Sequence, residues 1–258
     1  MLEKHLAFIV APTIEAERYA KQLSEGLSLN DPYHADILVV FGGDGFMLRS
    51  LHQYQPLGKP VYGINCGTVG FLMNESNISS KGELLERLES AKTTLLHPLK
   101  MSVKTCDGKA SVHHAINEVS LLRQTSQAAK IRIYINDIVR LDSLIGDGII
   151  LSTPAGSTAY NLSAHGPILP LDTQLLALTP LSAFRPRHWR GALLPNTAKV
   201  RFEVLDANFR SVSATADDRT VSYIQTVDVF QDASVSYNLL FDPGHNLEER
   251  ILREQFEY

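Results

Sequence analysis

Hydrophobic and polar positions follow two different periods along the chain, and the change falls near residue 95. Before it, short apolar runs alternate with stretches of helical spacing. Leu6-Ala7-Phe8-Ile9-Val10 reads as a buried strand, Ile14 to Leu27 as an amphipathic helix, and Asp36-Ile37-Leu38-Val39-Val40-Phe41 as a second strand. Phe46 to Leu51 has helical spacing, Pro60 to Ile64 is a third strand, and Gly82 to Leu88 a further helix. Strands that are apolar throughout are covered on both faces, which predicts an α/β domain built on a parallel sheet. In such a sheet ligands collect at the carboxyl ends of the strands, where Gly42 to Gly45 and Asn65-Cys66-Gly67 are expected to stand.

After residue 95 the runs shorten and alternate. Met101 to Thr105 is followed by an Asp107-Gly108 turn and by Ala110 to Leu122; Ile131 to Ile135 meets Asn136-Asp137 and returns through Ile138 to Leu144. Asp-Gly and Asn-Asp between alternating runs are hairpin signals. With Lys199 to Leu205, Arg210 to Ala214, Val221 to Ile224 and Val227 to Phe230 they predict a β-rich, mainly antiparallel domain. Leu247, Ile251, Leu252 and Phe256 have helical spacing, so the last segment is expected to pack back across the first domain or a neighbouring chain. The expected division is an α/β domain over residues 1–95, a β-rich domain over 96–245 and a C-terminal helix over 246–258.

Composition narrows the class without naming a function. Hydrophobic residues at 44% and charged ones at 20% describe an ordinary globular chain. A net charge of −4 without a basic stripe argues against a nucleic-acid partner; Arg185, Arg187 and Arg190 form the only local basic cluster and read as a surface or interface feature. Cys66 and Cys106 give neither a disulfide framework nor a zinc spacing. No apolar run reaches membrane-spanning length, and Leu6 to Pro12 is too short for a signal sequence. The expectation is a cytoplasmic protein with no membrane partner and no metal held by its own side chains. His113 and His114 are adjacent on a strand and point to opposite faces, so they read as structural.

The candidate chemistry starts at Gly42-Gly43-Asp44-Gly45, between a buried strand and a helix. Such a turn presents bare backbone N–H groups and the positive end of the helix dipole, a seat for phosphate. A carboxylate in that seat is repelled by the ligand unless a metal ion bridges the two or the carboxylate takes a proton there. Either use points to phosphoryl transfer. The turn is not a P-loop, because no Lys follows, nor a dinucleotide fingerprint, because Leu48 stands where a third glycine is needed. A second dense block, Gly146-Asp147-Gly148 to Ser163, reads as a strand ending at Pro154, a turn at Gly156 and a short helix from Thr158 with Ser157 as its N-cap. Its small hydroxylated residues and Tyr160 offer donors for a base edge and a ring to stack on.

Together, Gly42 to Gly45, Gly63-Ile64-Asn65-Cys66-Gly67-Thr68-Val69-Gly70-Phe71-Leu72, Asn117-Glu118 and Asp147 to Pro167 resemble the NAD kinases in content and order. The resemblance implies an α/β domain followed by a β-rich domain, with the active site between them. It implies transfer of a phosphoryl group from ATP, another nucleotide or polyphosphate to the adenosine-ribose 2′-hydroxyl of NAD, with Mg²⁺ or Mn²⁺ to offset donor charge, in a dimer or tetramer. Asp44 is then similar to the family's catalytic base. Gly42, Gly43 and Gly45 would face phosphate, with Arg49 as a further contact. Asn117 and Glu118 would hold the adenosine end. Ala155, Thr158, Ala159, Tyr160, Asn161, Leu162 and Ser163 would surround adenine, and Asp147 would meet the nicotinamide amide.

The chain departs from the family pattern at Phe46, where Thr is usual, and at Ile145, where Arg is usual. His165 replaces a glycine, and Asp217-Asp218-Arg219 stands where an Asp-Gly-Gln-like turn is expected. Three other readings share features of the chain. A lipid kinase shares the Gly-Gly-Asp-Gly turn but needs an apolar groove and has no use for Gly156 to Tyr160; a sugar-phosphate kinase shares the turn too but calls for a basic phosphate pocket. A non-catalytic NAD(H) sensor would keep the pocket but gains nothing from Asp44.

Overall fold

The first three apolar runs become the parallel core of a sheet in the computed structural model, which describes residues 5–67 and 70–244. Thr68, Val69 and the expected helix over 246–258 lie outside the described residues. Strands β1 (Leu6–Val10), β2 (Ile37–Gly42) and β3 (Val61–Asn65) pair in parallel, with Leu6 opposite Ile37 and Leu38 opposite Val61. Every residue of β2 is buried, as its uninterrupted apolar sequence requires. Helix α1 (Ile14–Ser24) begins under Thr13, whose side chain accepts the Ala16 N–H at 3.3 Å, and buries Ala16, Ala20 and Leu23. It stops before the expected Leu27 because Gly26 takes φ +71°, a conformation that ends helices.

Helix α2 (Asp44–Tyr54) follows β2 at once, with Gly43 as its N-cap, and α3 (Lys81–Ser90) starts under the side chain of Ser80. Phe41 is fully buried, with the rings of Phe8 and Tyr19 centred 4.8 and 6.1 Å away. Burial of one such aromatic contributes about 2–3 kcal/mol.

The expected boundary at 245 is corrected. The chain divides at Leu96/His97 and again at Val235/Ser236, so the first unit takes back residues 236–244. Strand Tyr237–Phe241 lies between β3 and β4 (Lys92–Leu96), parallel to the first (Leu239 opposite Val61) and antiparallel to the second (Leu239 opposite Thr94). The sheet is therefore mixed. Nothing local marks this return: a five-residue apolar strand reads alike wherever its partners are.

The second unit, residues 97–235, is a pair of six-stranded antiparallel sheets. One runs in the order Ala192–Pro195, Leu175–Leu181, Gly148–Ser152, Glu118–Arg123, Val212–Ala216, Arg219–Val221. The other runs Ala110–Ala115, Leu99–Thr105, Ile224–Gln231, Val200–Val204, Ala129–Ile135, Ile138–Gly146. Alternate residues of both enter one core, among them Val119, Leu121 and Ile149 from the first and Met101, Ile133 and Phe202 from the second. The Asn136-Asp137 hairpin forms as expected, both residues at positive φ (52° and 62°). Strands Lys92–Leu96, Leu175–Leu181 and Ala192–Pro195 were not expected from the pattern.

Candidate active site

In the first unit the glycine turn and the Gly63–Leu72 segment meet at Asp44. Helix α2 starts at Asp44 itself, two residues earlier than the spacing predicts, so the carboxylate stands at the first helical position. Its two oxygens accept the N–H groups of Phe71 (2.9 Å) and Leu72 (3.0 Å). The loop that donates them leaves β3 beside the turn, where the Cys66 N–H bonds the Gly42 carbonyl at 2.8 Å. Paired backbone donors fix a carboxylate's orientation without mobile partners.

The turn glycines are not there for positive φ. None of Gly42, Gly43 and Gly45 has it, and Gly43 sits at φ −112°, ψ −179°. A Cβ on Gly43 or Gly45 would meet nothing within 4 Å, so both face open space beside the helix N-terminus. Gly42 is closed in by Phe46, which would lie 2.9 Å from an added Cβ. Arg49 is exposed, its guanidinium 5.9 Å from the centre of the Phe46 ring.

In the second unit Asn117 and Glu118 are set by a clamp from a distant turn. Asp217, itself at φ +50°, accepts the N–H of Ile116 (2.7 Å) and of Asn117 (2.9 Å). Thr153 holds the other side, its N–H on the Asn117 carbonyl at 2.9 Å and its hydroxyl on the Ile116 carbonyl at 2.7 Å. The result is two enclosed side-chain oxygens without a hydrogen-bond partner, Asn117 Oδ1 and Glu118 Oε2. Burial, and then the charge of Asp217, push Glu118 up to about 8. Orphaned buried acceptors are costly in a fold, which makes them candidates for ligand hydroxyl or amino donors.

The glycine-rich block departs locally from its expected form. A 3₁₀ turn covers Ala155–Thr158 and a one-turn helix follows over Tyr160–Ser163. Ser157 is inside the 3₁₀ turn and is no N-cap: its hydroxyl lies 2.7 Å from the Pro154 carbonyl and accepts the Leu169 N–H at 2.9 Å. Gly156 is required, because an added Cβ would lie 2.3 Å from the Asn117 carbonyl oxygen. Of the predicted binding residues, Asn161 points inward, its amide used by Pro167 (2.8 Å) and Thr179 (2.6 Å), and Ala155 is buried. Thr158, Ala159 and Leu162 are half-buried, and Tyr160 and Ser163 are exposed.

Asp147 does meet this block. Asp147, Tyr160, Ser163, His165, Arg187 and Arg190 line one groove of about 530 Å³. Arg123 pairs with Asp147 at 2.5 Å. Tyr160 lies near both halves of the site: burial, then the charges of Glu118 and Asp147, raise its phenol. Ile145 spends its backbone on Arg185, donating at 2.8 Å and accepting back at 3.1 Å. His113 and His114 are apart from all this, 3.1 Å from the Ser111 hydroxyl and 3.0 Å from Asp232.

Comparison with known proteins decides the family. Residues 6–93 match the ATP-NAD kinase N-terminal domain and residues 116–231 the ATP-NAD kinase C-terminal domain. The chain belongs to the NAD kinase family. It is 51% identical to the NAD kinase of Caulobacter vibrioides over 97% of this chain and 95% of that one. To the NAD kinase of Hyphomonas neptunium it is 49% identical over the whole of both. Among solved structures, yeast NADH kinase in complex with NADH superposes with a TM-score of 0.80 at 22% identity, covering 98% of this chain and 88% of that one. The NAD kinase of Archaeoglobus fulgidus in complex with ATP gives 0.75 at 21%, covering 96% and 97%. Both share the fold.

As a member of the NAD kinase family the chain is a phosphotransferase. Sequence reading missed what supports its site. The Asp217 clamp spans about a hundred residues of chain, and only the departure at Asp217-Asp218-Arg219 hinted at it. Arg187 and Arg190, expected as a surface feature, turn out to line the groove.

Proposed function

We propose that this NAD kinase family member transfers the γ-phosphoryl group of ATP to the 2′-hydroxyl of the adenosine ribose of NAD, giving NADP and ADP. The bond from ribose oxygen to γ-phosphorus forms as the bond from γ-phosphorus to the β,γ-bridging oxygen breaks. The hydroxyl proton goes to Asp44. The observation that carries this reading is the Asp44 carboxylate held by the Phe71 and Leu72 N–H groups beside an open glycine turn. Gly43 and Gly45 leave room for donor phosphates, with Arg49 as a further cation nearby. Asn117 and Glu118 take the adenosine end, where hydroxyl and amino donors satisfy their two orphaned oxygens. Tyr160, Thr158 and Ser163 flank the ring, and Asn161 and Ala155 shape the block from within.

Among the described residues no group of three or more His, Cys, Asp or Glu stands together to hold a metal. In this reading the Mg²⁺ or Mn²⁺ that offsets donor charge enters as part of the nucleotide substrate. We place the reaction in the cytoplasm, where the two free thiols are stable; no helix among the described residues is long and apolar enough to cross a membrane. The active form is a homo-oligomer, a dimer or tetramer, in line with exposed apolar side chains such as Ile138 and Val139 on an edge strand. Active monomers in sedimentation at assay concentration would contradict that assembly.

The direct test is incubation with NAD, ATP and Mg²⁺ and detection of NADP, with polyphosphate as an alternative donor. Asp44→Asn is expected to keep NAD binding and to lower kcat by roughly 10²-fold or more. No NADP from the wild type, or near-normal turnover by the variant, would sink the mechanism.

A further inference from the structure

Among the described residues, two arginines in the groove have no acidic partner. The only carboxylate in its lining, Asp147, is taken by Arg123. No carboxylate among the described residues pairs with Arg187 or Arg190, and Arg187 has only the face of Phe184, at 5.1 Å. In a chain of net charge −4, this groove is locally cationic.

The segment that carries the arginines is anchored rather than loose. The N–H groups of Phe184 (2.7 Å) and Arg185 (3.1 Å) both bond the Ile145 carbonyl. At the far end Gly191, at φ +105°, lies against Leu178, where an added Cβ would come 2.1 Å from the carbonyl oxygen. Two non-glycine residues of the lining, His165 (φ +61°) and Ser182 (φ +47°), hold left-handed backbone. Such positions are unfavourable for residues with a side chain and cluster where a site shapes its walls. Tyr160 and Trp189 put aromatic surface in the same groove.

We infer that Arg187 and Arg190 bind the diphosphate of a dinucleotide whose ring lies against Tyr160 and Trp189. This rests on the reading that places NAD at Tyr160, and it adds the groups that recognise its charge. Guanidinium forks bind phosphate oxygens in pairs, and an anchored segment loses little freedom in doing so. Ser163 and His165 offer further polar contacts at the same wall.

Calorimetric titration of ADP-ribose, adenosine and ATP into the wild type, R187A/R190A and R187K/R190K tests this. ADP-ribose affinity is expected to fall at least about tenfold in the alanine variant and to return in part in the lysine variant. Adenosine affinity stays unchanged, and the salt dependence of ADP-ribose binding is shallower in the alanine variant. Unchanged ADP-ribose affinity overturns the inference, as does an equal loss for adenosine, which would mean damage to the ring pocket. A loss for ATP alone overturns it too, by assigning the arginines to the donor. Should the alanine variant not fold, R187K/R190K and the wild-type salt dependence decide. NADP formation by a variant with unchanged ADP-ribose affinity would sink this inference alone. Failure of the wild type to form NADP would sink the proposed reaction and leave the ADP-ribose comparison readable.

Discussion

At the residue scale, Glu118 has a measurable consequence even without ligand. Burial and Asp217 raise it from an ordinary 4.5 to about 8. Between those values the folded chain keeps a proton that the unfolded chain releases, so stability falls as pH rises through that window and levels off above it. The whole effect is on the order of a few kcal/mol. Glu118→Gln has no proton to lose. Its denaturant midpoint is expected to vary less than that of the wild type between pH 5 and pH 8, and to exceed it at pH 8.5. Parallel profiles for the two proteins would show that the carboxyl ionises normally. Asn117-Glu118 was legible in the sequence as a motif, but its enclosure was not. Enclosure comes from Asp217 and Thr153, which approach from far along the chain.

At the element scale, two glycines of similar appearance in the sequence do opposite things. Gly43 has ordinary extended φ and open space, whereas Gly156 is pressed against the Asn117 carbonyl. Gly43→Ala is expected to leave thermal stability within about 1 kcal/mol of wild type. It should still raise the KM for ATP severalfold, because a methyl group intrudes into the open space that the proposed reaction gives to the donor phosphates. Gly156→Ala should instead cost several kcal/mol and displace Asn117, weakening adenosine binding together with the melting temperature. Equal effects of the two changes on stability would contradict the geometry. The periodicity located the helices and most strands because burial of one face is a local signal. It placed the start of α2 too late, since Asp44 and Gly45 carry no apolar marker. It also passed over Leu175–Leu181, where Pro180 argues against a strand with partners on both sides.

At the scale of the whole molecule, the two units differ in how they use the chain. The second is one uninterrupted stretch, 97–235, with its own core. Expressed alone, that fragment is expected to unfold cooperatively and to bind adenosine; a fragment covering residues 1–96 is not expected to fold, because β3 and β4 lack the strand Tyr237–Phe241 that joins them. Circular dichroism melting curves of the two fragments check this, and a cooperative transition in the shorter one would refute it. The period of burial changes near residue 95, next to the division at Leu96/His97. It could not show the return at Ser236, since pairing between distant strands leaves no local trace.

That return also sets an order of events during synthesis. The chain leaves the ribosome from its amino end, yet the sheet that presents Asp44 lacks its fourth strand in sheet order until residues 237–241 have emerged. The β-rich unit is complete earlier and can assemble first, while the amino-terminal segment waits with β1, β2 and β3 made but their sheet unfinished. A nascent chain halted before Tyr237 would thus hold a complete β-rich unit and an unfinished amino-terminal sheet, and Asp44 would reach its folded setting only once residues 237–241 had been made.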